Sequence, residues 1–326
     1  MNKKLLSLAV LLSVCLHGVD AEARTLRMSN MAMATSVENQ LVEQVFIPYI
    51  EENSNGRYKI DLYPNSALGN ADTVVQGLVM GTIDLAMDSA GNLDQFCPSL
   101  ALLDLPYVFK REDIAKVNDS AVGEKLRNTG RRTGLHIIDL NCWFPRNLIA
   151  RKPMHSMADM QNAKNRTTGS KWQMMGVAAM GLKPVPTPAA EMLTAIQQGM
   201  VDCMDINLPS MLSFRVTDVA KHVTITNHAQ VMGAVVCSTE FWEALSDEDK
   251  KLFLDASRKY GEALDKAVAE KTEELIAELK KDGVEVFVLS EEESAKLKAQ
   301  TEKNLAKADF SDSDKELLRE IREAAK

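Results

Sequence analysis

The feature of this sequence that most restricts its fold is a helical pattern from about Asp247 to Lys281, with hardly a breaker before Asp282-Gly283. Ser246 offers an N-cap, and Asp247-Glu248-Asp249 gives an acidic first turn matched to the helix dipole. At 1.5 Å per residue such a helix runs about 50 Å, longer than one small domain is wide. The pattern therefore predicts a helix lying along two bodies, with its Glu/Lys alternation as the solvated face. Val284, Val286 and Val288 then alternate as a strand, and two charged helices close the chain.

The residues ahead of this helix supply the two bodies. Arg24 to Ser29 alternates as a short strand. From Val37 apolar residues recur at helical spacing until Asn55-Gly56, and Tyr58, Ile60 and Leu62 alternate as a half-buried strand. A helix over about 71–80 ends at Gly81, and the strand over 83–87 leads into Asp88. A helix over 111–130 and a strand over 135–140 complete a β-α-β-α-β rhythm, the pattern of a sheet covered by helices. A second run of the same kind follows: strand at 147–150, helix at 172–180, strand at 184–186, helix at 190–198, strand at 201–205 and strand at 223–226. The two units show no direct residue repeat.

The 326 residues hold roughly two domains of about 100–200 residues each. The net charge of −8 argues against a general binder of nucleic acid or anionic membrane. At the front, Lys3 and Lys4 precede the apolar run Leu5 to Val14, and Ala21-Glu22-Ala23 is a small-x-small cleavage pattern. This reads as a secretory signal over residues 1–23, and export to the periplasm follows. Cys15 follows Val14, not the small residue of a lipid-attachment site. No later apolar run reaches the ~18 residues needed to cross a bilayer. Cys97, Cys142, Cys203 and Cys237 are far apart in apolar segments and form no C-x-x-C pair, so they read as small buried hydrophobes, with any pairing left open.

Catalytic signatures such as G-x-S-x-G, H-E-x-x-H, Walker A and G-x-G-x-x-G are missing. His222 and His228 fall on one face of a predicted strand but lack further ligands for a metal. No cofactor is implied. An enzyme built on carboxylates alone stays open, because catalytic pairs need not be neighbours. Two arginines stand out: Arg146 after Trp143-Phe144-Pro145, and Arg166 in Asn165-Arg166-Thr167-Thr168. Each lies at the edge of a strand-like segment, where a guanidinium suits carboxylate recognition through two parallel hydrogen bonds. Spacing alone does not separate that role from a structural salt bridge.

Several segments in register resemble the solute-binding subunits of TRAP transporters, the tripartite ATP-independent periplasmic systems. They are Leu62-Tyr63-Pro64-Asn65-Ser66-Ala67-Leu68-Gly69, Gly81-Thr82-Ile83-Asp84-Leu85, Leu105-Pro106-Tyr107-Val108-Phe109, Leu182 to Thr187, Glu191 to Asp202 and Thr224 to His228. The resemblance implies two α/β lobes, each a mixed sheet flanked by helices, hinged by strands and spanned by a long helix. It divides the chain into lobe I (24–144), lobe II (145–230), a return to lobe I with part of the long helix (231–271), and C-terminal helices packing on lobe II (272–326). It implies further that Arg166 grips a carboxylate in a bidentate pair with Arg146 assisting, and that Asp88 follows the matched strand. TRAP membrane subunits are the implied partners. Asn30 and Ser29 enter from family position.

The departures bear on the ligand. Where the family often carries a solute-contacting asparagine, this chain has Ile206, and Ala189 stands where an aromatic is usual. Both changes predict a larger, more apolar pocket, with Trp172, Met174, Met175 and Met204 near enough in sequence to line it. If Asp88 or Asp205 faces that pocket, it would meet an ammonium or N–H donor on the solute; either residue otherwise caps a helix or pairs with an arginine. The expected solute is a carboxylate with a bulky apolar or aromatic tail, such as an amino acid or 2-oxo acid. The alternatives are a binding protein serving another importer type and a secreted α/β enzyme.

Overall fold

The computed structural model describes residues 23–188 and 191–326. The signal segment and Cys15 lie outside the described residues, as does Ala189.

Among the described residues nine strands form one hydrogen-bonded sheet: β1 (Arg24–Asn30), β2 (Tyr58–Tyr63), β3 (Leu85–Ser89), β4 (Leu135–Ala150), β5 (Lys164–Thr167), β6 (Lys183–Pro186), β7 (Cys203–Asn207), β8 (His222–Ser238) and β9 (Glu285–Val288). Their order is β2-β1-β3-β8-β4-β7-β5-β6, with β9 added to β8. The strands β4 and β8, of 16 and 17 residues, pair antiparallel over nearly their whole lengths and run through both lobes. Their outer pairing, from Leu135↔Ser238 to Cys142↔Met232, joins the parallel strands β1, β2 and β3 in lobe I. Their other ends, near Ala150↔His222, carry β7, β5, β6 and β9 in lobe II.

The long helix forms over Asp247–Lys281, capped by Ser246 Oγ on the Asp249 N–H at 3.1 Å. Phe253, Tyr260 and Leu264 pack into the core of lobe I, whereas Ala267, Leu275 and Leu279 pack into that of lobe II. Burying an apolar stripe in two cores in succession is what holds so long an amphipathic helix in place. The four cores are each closed by apolar side chains from β4 or β8.

The C-terminal region differs from the expectation of a tail packed on lobe II. The helix Glu291–Leu305 does lie there, with Leu297 in the core beside Met160, Val177 and Met180. The last helix, Asp312–Ala324, crosses back instead: Leu318 and Ile321 join the lobe I core with Val117, Val122 and Leu126. Ser99 donates to Asp314 at 2.9 Å, and Lys125 pairs with Glu320 at 2.5 Å. Its two apolar positions match an uncovered face of the 114–127 region, a fit no local pattern discloses.

Candidate functional site

Where β4 and β8 pass from one lobe to the other, their pairing is broken by a bulge. Cys142 opposes Met232 and Pro145 opposes Gln230, so Trp143 and Phe144 share the single partner Val231. In an unbroken strand Trp143 and Arg146, three positions apart, would point to opposite faces. The bulge shifts the alternation, and both line one cavity of about 100 Å³ between the lobes. Gly233 makes the indole's position possible, because a Cβ there would collide with Trp143 Nε1.

Lobe II brings Arg166 to this cavity from β5, where the residue is only 7 % exposed. Its Nε donates to the Thr187 carbonyl at 3.0 Å. Among the described residues that is its one side-chain hydrogen bond, and it forms no ion pair. Burial pushes the guanidinium down to about 10; the Asp205 charge opposes that shift and the Arg146 charge adds to it. A buried cation with two uncommitted terminal nitrogens gains strongly from an incoming carboxylate.

Arg146 is differently placed. It donates from Nη1 to the Asp205 carbonyl at 3.1 Å, and its guanidinium lies 3.7 Å from Asp104 and 3.8 Å from Asp205 Oδ2. Its Nε is buried without a partner among the described residues. Asp205 also accepts from Asn165 and Gln173, each at 3.1 Å, and lies 3.6 Å from His228 Nε2. Burial alone would lift Asp205, but the bonds and charges of His228, Arg146 and Asn165 hold it below the ordinary carboxylate value. Asp205 is thus the keystone of an internal network and does not line the cavity.

Other predicted residues separate in the same way. Ile206 lines the cavity. Asp88 does not: its Oδ1 accepts from the Ser89 N–H at 2.7 Å and from Asn92 Nδ2 at 2.9 Å. Asn30 spends its amide on Asn39 and its carbonyl on the Ala32 N–H, fixing the turn after β1. Trp172 packs into the lobe I core, stacked on Phe310 at 5.6 Å, and does not line the cavity. The rings of Trp143 and Phe214 and the side chain of Met192 form the cavity's walls beside Ile206. No Asp or Glu lines it among the described residues, so the expected ammonium receptor is not formed.

Sequence reasoning missed Trp143, Phe214 and Asn207. Asn207 supplies a polar group one position after the expected one. Its Nδ2 donates to Glu38 Oε1 of lobe I at 3.2 Å, while its Oδ1 caps the following helix at the Ser210 N–H. Ser170 Oγ of lobe II donates to Asp94 Oδ2 of lobe I at 3.2 Å. The lobes therefore touch on both sides of the cavity, and the arrangement is a closed one.

Two α/β lobes closed on a small cavity, with an uncommitted guanidinium in its wall, define a binding protein for small organic anions. The chain belongs to the bacterial extracellular solute-binding proteins, family 7, whose model matches residues 28–311; these are the solute-binding proteins of TRAP transporters and not enzymes. It is 29 % identical over 269 residues to the 2,3-diketo-L-gulonate-binding periplasmic protein YiaO of Escherichia coli, covering 81 % of each chain. It is 28 % identical over 284 residues to the sialic acid-binding periplasmic protein SiaP of Vibrio cholerae, covering 86 % of this chain and 88 % of that one. Among solved structures, a TRAP periplasmic solute-binding protein from Polaromonas bound to D-erythronate superposes with a TM-score of 0.79 at 30 % identity, covering 91 % of this chain and 98 % of the other.

Proposed function

We propose that this protein captures a small carboxylate in the periplasm by a bidentate pair with Arg166 and presents it, in the closed form, to TRAP membrane subunits. The observation that carries the reading is the Arg166 guanidinium, buried in the cavity wall with both terminal nitrogens uncommitted among the described residues. Arg146 assists through its unpartnered Nε while its charge steadies Asp104 and Asp205. The relatives' named ligands, a diketo-gulonate, a sialic acid and an erythronate, share a carboxylate and support the same reading. Closure by bending at the β4/β8 crossing excludes water and strengthens the ion pair. No helix of the described residues is long and apolar enough to cross a membrane. The leader-like residues 1–23 support export by cleavage.

The test is thermal unfolding of the purified mature protein against a panel of carboxylates, repeated with Arg166→Ala. A ligand at 100 times its Kd adds about 2.7 kcal/mol. The variant should fold and lose nearly all of that shift; a shift of wild-type size in the variant would remove the clamp.

A further inference from the structure

A second cavity, of about 180 Å³, lies in lobe I between the long helix, β4 and the helix Ile114–Asp119, and shares no lining residue with the cavity between the lobes. Ile114, Ala115, Leu140, Cys142 and Gly261 give it apolar surface. Four carboxylates also line it: Asp119, Asp139, Glu262 and Asp265. Three of them have a cation. Asp119 pairs with Arg258 at 2.5 Å, Glu262 with Lys259 at 2.9 Å and Asp265 with Arg111 at 2.6 Å. Asp139 is only 2 % exposed and forms no ion pair among the described residues. Arg258, the cation in this wall, is already taken by Asp119.

A second group in the same wall is left unanswered. Asn118 is 9 % exposed; its Nδ2 donates to the Leu140 carbonyl at 2.8 Å, and its Oδ1 is buried without a partner among the described residues. The neighbouring Asn141 is engaged on both sides, donating to the Ser257 carbonyl at 3.3 Å and accepting from the Ser257 hydroxyl at 3.4 Å. A buried carboxylate without a cation and a buried acceptor without a donor each cost free energy. One kind of ligand relieves both: a small cation that carries N–H donors. Burial pushes Asp139 up to about 6, opposed by the Leu140 N–H, the Arg258 and Arg127 charges and the Ser257 hydroxyl, so it is mostly ionised above pH 7. A hard divalent cation asks for about six oxygen ligands, more than Asp139 and Asn118 Oδ1 supply while the other acids hold their own partners. An alkylammonium brings three donors and a stem that suits the apolar surface.

We infer that this cavity binds a small primary ammonium, its N–H groups donating to the Asp139 carboxylate and to Asn118 Oδ1, and its carbon stem lying against Ile114, Leu140 and Cys142. A cavity of about 150 Å³ admits benzene, so a stem of three or four carbons has room. The site is independent of carboxylate capture at Arg166, and the ligand is the opposite in charge.

The experiment is thermal unfolding of the purified mature protein at pH 8 in propylammonium chloride, with potassium chloride and tetramethylammonium chloride at equal ionic strength as references. The expected result is a saturable rise in Tm with propylammonium and none with the other two cations, which lack N–H donors. Asp139→Asn keeps the size of the side chain and removes its charge, and should weaken the apparent Kd about tenfold or more. Ala115→Met, at an exposed helical position on the cavity wall, narrows the cavity while leaving Asp139 in place. It should weaken binding to a similar extent, and it carries the test if Asp139→Asn does not fold. The absence of a saturable rise, an equal rise with potassium or tetramethylammonium, or a rise of wild-type size in either variant would overturn the assignment.

Discussion

Arg146 of lobe II and Asp104 of lobe I meet 3.7 Å apart at the seam between the lobes, both side chains buried. Asp104 Oδ1 accepts from the Met232 N–H at 3.0 Å, while its Oδ2 has no hydrogen-bond partner among the described residues. Burial raises Asp104 to about 6, against the pull of the Arg146 charge. Removing the arginine alone would strand two buried carboxylates. Arg146→Met should therefore cost about 3–5 kcal/mol in urea unfolding at pH 7. The double variant with Asp104→Asn should recover part of that loss. Strictly additive losses would show that the two residues are not coupled.

The buried acid at the end of β3 gives a signed pH effect. Burial raises Asp88 from 3.8 to about 6, although the Asn92 side chain and the Ser89 N–H both favour its charged form. The native state thus holds a proton that the unfolded chain releases between pH 4 and 6. The associated stability is full below about pH 4 and is lost as pH rises through about 6. Asp88→Asn stays neutral and keeps an acceptor. Relative to wild type it should gain up to about 3 kcal/mol at pH 7 and little at pH 4. A difference that does not change with pH would refute the assignment.

The bulge that delivers Trp143 and Arg146 has a specific support. Arg111 donates to the Cys142 carbonyl at 2.8 Å and to the Trp143 carbonyl, and pairs with Asp265 on the long helix at 2.6 Å. These carbonyls sit where the β4/β8 ladder is interrupted. Arg111→Ala leaves these two carbonyls short of donors and should destabilise the protein by about 2–6 kcal/mol, at about 1–3 kcal/mol per unsatisfied group. It should also shift Trp143 fluorescence, which a defect remote from the bulge would leave unchanged; a Trp143→Phe background identifies that signal.

The four cysteines of the described residues are free and buried. Burial pushes Cys97 and Cys142 up to about 12, and Cys203 and Cys237 are raised as well. Because the thiolate is the reactive form, the native mature protein should resist thiol reagents at pH 8 and yield four reactive thiols once unfolded in urea. Rapid labelling of even one native thiol would contradict this burial.

What the sequence discloses, and what it withholds, follows from the range of each signal. The long helix is legible because capping by Ser246, the acidic first turn and an unbroken apolar stripe all lie within its own residues. Arg166 is legible as a guanidinium out of place on a short strand. Trp143 is not, because strict alternation opposes it to Arg146 and only the bulge brings the two together. Trp172 misleads for the complementary reason. It is near Arg166 in the chain, but its helix turns it towards Phe310, a residue delivered from the far C-terminal region. The lobe chosen by the last helix depends likewise on a surface assembled from residues nearly 200 positions earlier.

The continuity of β4 and β8 carries a consequence for how such a protein can change over evolutionary time. Adding one residue to β4 beyond the bulge would invert the facing of every later side chain in that strand, exchanging the interior of lobe II for its surface, whereas in the antiparallel β8 the later side chains are those of lobe I. A single-residue insertion within these strands is tolerable only where a bulge absorbs it, as between Cys142 and Pro145. New solutes are therefore reached by exchanging side chains such as those at 143, 206 and 214, on a frame whose length is effectively frozen.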